Sequence, residues 1–322
     1  MEERSSSEPY EPLSHVAVLM SGFFVGGPFY GEELAKRGVG VAESLRPIQS
    51  RIGRGIRRLH MRSWMPGKWV WFGNWEPVIE SRDLVIVHAA DVLVPVAEYI
   101  ARRYPRKRVI LWYWNNASPG SNPALARSQR RIELWSFDSE DCARYGMGHN
   151  TTYSFMSLSD IDATSDVDFF FFGADKGRAA ILDELAGAIT RAGLTHRLWI
   201  AGDESRGVSP SGVAFRSPMS YSAHLTNTAR ARVIVDVVQA GQSGMTLRPL
   251  EALFLGKKLL TNSLDIVHSP LYDPTRVFVF GLDDEAALRS FVETPMVRPT
   301  RALLEYYDVA GWIGRFENRM PH

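Results

Sequence analysis

What most constrains this chain is an alternation of short apolar runs with helical stretches that breaks once, near residue 158, and then starts again. Residues 15–20 form an apolar run that ends in a glycine-rich turn, and the helical pattern of residues 32–37 follows. Residues 83–87 and 108–113 read as further buried strands with a helix over 92–103 between them, and residues 132–137 add another strand. A short helix over 138–145, capped by Asp138 or Ser139, leads to an extended run at 151–157. Apolar strands separated by helices belong to a parallel sheet, because a parallel pair needs a long crossover and that crossover is usually a helix.

Residues 158–168 are rich in Ser, Asp and Thr and poor in large apolar side chains, the composition of a linker. Beyond them the alternation resumes, with strands over 167–172, 196–201, 231–238, 258–261 and 277–280 and helices over 179–192, 220–228 and 248–255. At 322 residues the chain is longer than one ordinary core and suits two. The expectation is an α/β protein of two Rossmann-like, doubly wound parallel-sheet domains facing a crevice. A disordered tail covers 1–14, the N-terminal domain 15–157 and the C-terminal domain 158–300. Residues 301–322 carry apolar and aromatic side chains at helical spacing and are expected to form a helix packing back across the domain junction.

Lys and Arg number 37 against 36 Asp and Glu, a net charge of +1, so no global field draws the chain to nucleic acid or an anionic membrane. Nucleic acid is therefore not expected as a partner, and any anion binding must be local. Cys142 is the single cysteine, which leaves no intrachain disulfide and no cysteine cluster for zinc; its plain reading is a small buried hydrophobe in a reducing compartment. The first residues are polar and acidic, unlike a signal peptide, and no apolar stretch reaches the ~20 residues of a spanning helix. The expected location is the cytoplasm.

The most informative segment is Asp236-Val-Val-Gln-Ala-Gly-Gln-Ser-Gly-Met-Thr-Leu-Arg-Pro-Leu-Glu-Ala-Leu-Phe-Leu-Gly-Lys-Lys-Leu-Leu-Thr-Asn262, a strand, a polar glycine-bearing loop, a helix and a strand. Backbone amides of such a loop at a helix N-terminus can bind phosphate oxygens, helped by the helix dipole. Gly241 and Gly244 permit close approach beside Gln242, and Ser243 and Thr246 offer hydroxyl donors. Arg248 in the first turn can clamp a diphosphate with two parallel bonds. Glu251, three residues on, can accept ribose hydroxyls or orient Arg248. A plain turn with a surface ion pair fits the same spacing, which leaves both readings open.

The segment resembles the donor-binding region of GT-B glycosyltransferases. More closely, it resembles small bacterial glycosyltransferase-like proteins of lipopolysaccharide and capsule biosynthesis, which carry Asp-Ile-Val-Gln-x-Gly-Gln-Ser-Gly-Leu-Thr-x-Arg-x-x-Glu-x-Leu followed by Gly-Lys-Lys-Leu-Ile-Thr-Asn. The likeness extends to Trp112-Tyr-Trp-Asn115, to Trp135-Ser-Phe-Asp-Ser-Glu-Asp-Cys142, to Gly173-Ala-Asp-Lys-Gly-Arg178, and to Tyr307-Asp308 and Trp312. It implies a nucleotide-sugar donor with its diphosphate near residues 241–246 and its ribose near Glu251. Many retaining GT-B enzymes carry a second Glu eight positions before the helix Glu; here that position is Ser243, so the resemblance does not carry retention of anomeric configuration.

Lys176 and Arg178 follow the first strand of the second domain, at the strand end where α/β sheets bind ligands, and form a candidate diphosphate clamp, with a solvated loop as the bland alternative. Charge developing on a leaving nucleoside diphosphate can be stabilised by such cations without a metal. No Asp-x-Asp metal motif is evident, since Asp166 and Asp168 stand at a linker and a strand start. No metal and no cofactor beyond the nucleotide-sugar substrate is expected. His88, Asp91 and Asp138, at strand ends of the first domain, are candidate general bases for an acceptor hydroxyl; a hydrogen-bonded strand-end histidine and a helix cap are the plain readings of the first and last. Trp112, Trp114 and Asn115, with Asn116, can form an acceptor surface, or the tryptophans can be core. The basic stretch Arg51–Arg62 can face anionic acceptors or lipid headgroups at the inner face of the membrane, or be a solvated surface.

The function the resemblance implies is glycosyl transfer from a nucleotide sugar to a saccharide, glycolipid or other hydroxyl acceptor, in glycan biosynthesis. The alternatives are a sugar-nucleotide epimerase or pyruvyl transferase on the same scaffold, or a protein that binds nucleotide sugar without turnover.

Overall fold

The computed structural model describes residues 12–22, 24, 27–126, 131–161, 164–238 and 244–318. The chain forms two compact units, Met1–His149 and Asn150–His322. The division comes earlier than the linker-like stretch that begins at residue 158.

The first unit holds one parallel sheet of six strands: β1 (Val16–Met20), β2 (Gly40–Glu43), β3 (Leu84–His88), β4 (Arg108–Tyr113), β5 (Glu133–Ser136) and β6 (Gly148–His149). Their order is β2-β1-β3-β4-β5-β6. Its helices are α1 (Gly27–Lys36), α2 (Arg51–Arg62), α3 (Glu76–Ile79), α4 (Val94–Arg103) and α5 (Ser139–Tyr145). Every residue of β1 and β3 is buried, as befits strands covered on both faces. From β1 the chain first pairs on one side with β2, then crosses to the other side for β3. The carboxyl ends of β1 and β3 therefore flank the point where strand order reverses, the place where open α/β sheets leave a ligand crevice.

The second unit repeats the plan with β7 (Val167–Ala174), β8 (His196–Ala201), β9 (Ala214–Arg216), β10 (Ala231–Asp236), β11 (Lys258–Thr261) and β12 (Val277–Val279), in the order β12-β11-β10-β7-β8-β9. Its helices are α6 (Ala179–Arg191), α7 (Tyr221–Ala229), α8 (Arg248–Phe254), α9 (Leu288–Glu293), α10 (Arg301–Tyr307) and α11 (Val309–Glu317). Here β7 is flanked by β8 and β10, so the reversal lies at the carboxyl ends of β7 and β10. Phe169, Phe171, Leu198, Val233, Val235 and Leu260 from four neighbouring strands lie in its main apolar core.

The strands β2, β6 and β9 escape the sequence pattern because they are short and carry little apolar periodicity. The helical stretch after residue 300 is two helices, broken where extended Asp308 caps α11 through its carboxylate and the Ala310 amide, 3.2 Å apart. These helices pack on the start of their own unit: Trp312 is fully buried and stacks on Tyr153 with centroids 4.1 Å apart. Arg315 donates to Asn150 and to Thr151, both at 2.6 Å. At the amino end of β7, Asp166 is braced by Arg197 and Arg230, and Asp168 by Arg232 at 3.0 Å. The Asp-x-Asp pair thus serves ion pairs at the end of the sheet opposite the reversal point.

Candidate functional site

In the second unit two arginines converge on the carboxyl ends of β7 and β10. Arg248, at the start of α8, donates from Nη2 to the Phe172 carbonyl at 2.9 Å and places Nη1 3.3 Å from Oδ1 of Asp236, the last residue of β10. Its guanidinium lies 4.8 Å above the Phe171 ring. Thr246 donates its hydroxyl to the same Asp236 oxygen at 3.0 Å. Arg178, in the turn after β7, is 7% exposed and donates from Nη1 to the Ala174 carbonyl at 3.1 Å. Burial and then the nearby Arg248 charge push its pKa down, with Asp236 and Asp175 opposing. The Nε atoms of both arginines are buried with no hydrogen-bond partner among the described residues. Two unsatisfied cationic N–H donors, held close together at a sheet's reversal point, favour an anion.

The turn that delivers Arg178 is fixed by its backbone. Lys176 adopts a left-handed φ of 44° and Gly177 one of 79°, so the chain reverses tightly between strand and helix. Asp175 ties the turn down, accepting the Ala179 amide on its carboxylate at 3.3 Å and the Arg178 amide on its carbonyl at 2.8 Å. Lys176 itself is exposed. Gly244 is buried; Gly241, Gln242 and Ser243 lie outside the described residues.

Glu251 faces into the unit and is 2% exposed. Tyr221 donates its hydroxyl to Oε1 at 2.8 Å, and His224 Nε2 lies 3.1 Å from Oε2. Burial alone would raise this carboxyl, but His224, Arg248 and the Tyr221 hydroxyl together hold it below its ordinary value. Both oxygens are occupied, so Glu251 joins α7 to α8 and sits beside Arg248. In this geometry its oxygens face Tyr221 and His224, and the Arg248 charge lies near enough to favour its ionised form.

The first unit gathers a different chemistry at its own reversal point. His88 ends β3, is 1% exposed, and has neither ring nitrogen hydrogen-bonded among the described residues. Burial pushes its pKa down to about 4, so the imidazole is neutral. Phe24, from the loop after β1, packs edge-on against it with centroids 5.3 Å apart, and Trp114, just past β4, lies at 6.1 Å. Phe24 and Trp114 also touch each other at 5.0 Å. The indole N–H of Trp114 and the Ser21 hydroxyl are further buried polar atoms without partners among the described residues.

The other candidates in this unit are tied into the structure. Asp91 pairs with Arg62 of α2 and accepts the Asn122 amide at 2.7 Å, so it anchors the loop after β4. Asp138 accepts the Asp141 amide at 2.9 Å as the cap of α5 and the Asn116 side-chain amide at 2.6 Å. Trp112 is buried within β4, whereas Asn115 is exposed in the following loop. The structure thus brings His88 and Trp114 together and draws Arg178, Thr246, Arg248 and Glu251 into a second cluster. Sequence reading missed Asp236, Tyr221 and His224 as members of that cluster and Phe24 as the cover of His88. Only Asp236 carried a signal, as the polar residue that ends an apolar strand. Among the described residues no three His, Cys, Asp or Glu side chains converge as a metal site would require.

Two doubly wound parallel α/β units, each with polar groups gathered at its reversal point, are the two Rossmann-like halves of the GT-B fold class expected from the sequence. Among solved structures the chain is similar to AviGT4, a glycosyltransferase involved in avilamycin A biosynthesis, with 16% identity over 94% of this chain and 96% of that one and a TM-score of 0.58. It is also similar to an alpha-glucosyltransferase in complex with UDP-glucose and DNA containing an abasic site, with 9% identity over 94% and 98% of the two chains and a TM-score of 0.55. The same is true of an alpha-glucosyltransferase in complex with UDP and a DNA 13-mer containing an A:G mismatch, with 10% identity, the same coverage and a TM-score of 0.54. No protein-family model and no curated protein matches the sequence.

These likenesses correct one expectation. Nucleic acid was set aside because the net charge is near zero, yet structures sharing this fold are complexes with DNA. The error is physical as well: net charge averages over the surface, and here it conceals a segment between Glu43 and Glu76 with seven Lys and Arg and no acidic residue. As for membranes, no helix among the described residues is long and apolar enough to cross one.

Proposed function

We propose that the protein is a glycosyltransferase that takes a glycosyl group from a nucleoside diphosphate sugar bound by the second unit and passes it to an acceptor hydroxyl. The observation that carries this reading is the convergence of Arg178 and Arg248, each with an unsatisfied buried Nε–H, at the carboxyl ends of β7 and β10. As the bond between the anomeric carbon and the phosphate oxygen breaks, negative charge builds on the departing diphosphate. Cations already fixed in place stabilise that charge without reorganising. Asp236, itself bound by the Thr246 hydroxyl, holds Arg248 in position, and the Glu251 carboxylate adds a nearby negative charge. Lys176 and the loop over Gly241, Gln242, Ser243 and Gly244 belong to the same donor site in this reading.

The acceptor hydroxyl must lose its proton as its oxygen bonds to the anomeric carbon. His88 is assigned as the base, because it is neutral and its nitrogens have no hydrogen-bond partner among the described residues, whereas Asp91 and Asp138 are engaged elsewhere. The proton passes to a ring nitrogen of His88 and the electron pair of the broken bond leaves with the diphosphate. The sequence likeness to lipopolysaccharide and capsule glycosyltransferase-like proteins supports glycan assembly as the setting of this reaction.

A thermal-shift series with uridine, guanosine, adenosine and cytidine diphosphates and their sugars tests the reading, since a ligand of the folded state raises its stability. One nucleotide should raise the melting temperature, and its sugar should then be consumed in the presence of acceptor. Absence of any shift across the series would overturn it.

A further inference from the structure

We propose that the face of the first unit built from α2 and the segment after it docks on an anionic lipid surface. At about 100° per residue, Ile52, Ile56 and Leu59 form one stripe on α2. The opposite side of the helix, through Met61 and Arg57, is buried against the unit. The stripe is left in solvent: Ile52, Ile56 and Leu59 are 76%, 55% and 75% exposed. The next residues extend it, with Trp64 93% and Trp69 62% exposed and Met65 between them. This display is held in place. His60 Nε2 lies 2.9 Å from the Pro66 carbonyl, the Trp71 indole donates to His60 Nδ1 at 2.8 Å, and Ser63 donates to the His60 carbonyl at 2.8 Å.

Charge supplies the second half of the argument. Arg51 and Arg58 lie exposed on one flank of the stripe, and α2 contains no acidic residue. Beyond the helix, a groove of about 660 Å³ is walled by Trp64, Trp69 and Tyr99 and by Lys68, Arg102 and Arg103. Glu98 also reaches its wall but is paired to Arg102 at 3.4 Å. A helix of low mean hydropathy with an aliphatic stripe, a basic flank and tryptophans at its end is the pattern of a segment lying in a lipid interface. The groove places cations where a headgroup phosphate would meet them, and the basic residues match an anionic surface. Basic residues beside tryptophans also suit single-stranded nucleic acid, which stacks on aromatic faces. The aliphatic row decides between them, since Ile52, Ile56 and Leu59 give a base nothing to stack on and give an acyl chain a surface to cover.

Cosedimentation of the full chain with vesicles of phosphatidylcholine alone, and of phosphatidylcholine mixed equally with phosphatidylglycerol, tests the proposal. Binding should be about tenfold or more stronger to the anionic vesicles and should fall as salt is raised. The triple variant Ile52→Ser, Ile56→Ser, Leu59→Ser should weaken it by about tenfold or more with the melting temperature little changed, because these side chains lie mostly in solvent. Trp64→Ser, outside the helix, should weaken it separately, and wild-type tryptophan fluorescence should shift to the blue on vesicle addition. No binding to anionic vesicles, or binding that both variants leave unchanged, would overturn the proposal. So would oligonucleotide binding without vesicle binding, which would assign the face to nucleic acid. Nucleotide-induced thermal stabilisation reports separately on the donor site, so either reading can fail alone.

Discussion

Gly173 and Arg248 are fitted to each other: a methyl group on Gly173 would lie 2.6 Å from Nη2 of Arg248, closer than nonbonded atoms tolerate. The glycine, the last residue but one of β7, leaves the space through which the guanidinium reaches the Phe172 carbonyl. Gly173→Ala should displace Arg248 and weaken nucleoside diphosphate binding about tenfold, equivalent to about 1.4 kcal/mol. Calorimetric titration measures it, and unchanged affinity would show that Arg248 is not part of the donor site.

The two arginines should separate stability from binding. Arg248 holds the buried carboxylate of Asp236, which among the described residues keeps the Thr246 hydroxyl and the nearby Arg178 charge once that cation is gone. Arg248→Met should therefore cost on the order of 3 kcal/mol in chemical denaturation as well as nucleotide affinity. Among the described residues the Arg178 side chain makes one hydrogen bond, to a carbonyl, and it bears the neighbouring positive charge of Arg248. Arg178→Met should leave stability within about 1 kcal/mol of wild type. It should still lower nucleotide affinity by about tenfold or more. Equal loss of stability in both would assign both to the framework.

His88 predicts a pH dependence of stability. Its folded pKa, near 4, lies below the ordinary 6.5, so the unfolded chain takes up a proton over this range that the folded chain refuses. Stability should be independent of this group above pH 6.5 and should fall by up to about 3 kcal/mol as pH drops from 6.5 towards 4. His88→Gln should remove that part of the slope and lower turnover by about a hundredfold or more if the residue is the base. Retained turnover in a folded variant would remove the catalytic assignment and leave the stability effect standing.

Glu251 predicts the behaviour at lower pH. Its carboxyl is held below the ordinary 4.5, so its stabilising contribution is fully present above that pH and drains away as pH falls through the depressed value. Glu251→Gln should lose about 1–3 kcal/mol at neutral pH, where the buried site loses the carboxylate that Tyr221 and His224 face and that lies near the Arg248 charge. Its unfolding curve should then be flatter than that of wild type below pH 4.5. Parallel acid curves for the two proteins would mean that Glu251 is not ionised in the fold.

How much of this was legible in the sequence follows from the range of the forces involved. Val16–Met20 is apolar along its whole length and Leu84–His88 in all but its last residue, because parallel strands are buried on both faces, and that pattern is written in consecutive residues. The same holds for the cap of α5 by Asp138 and for the glycine turn after β7, which depend on neighbours within a few positions. The two-unit α/β architecture could be read for that reason, and so could the presence of Arg178, Arg248 and Glu251 near one strand-loop-helix unit.

What each of those residues does was decided by strand order and packing. Adjacency of β7 and β10, more than fifty positions apart in the chain, is what sets Arg178 beside Arg248 and turns Arg248 onto the Phe172 carbonyl. Partnership of Glu251 with Tyr221 and His224 depends on how α7 meets α8, and the neutrality of His88 on burial beneath Phe24 and Trp114. The sequence marks a charged residue; only the folded chain sets the dielectric around it and the partner facing it, and those two decide whether it binds, braces or accepts a proton.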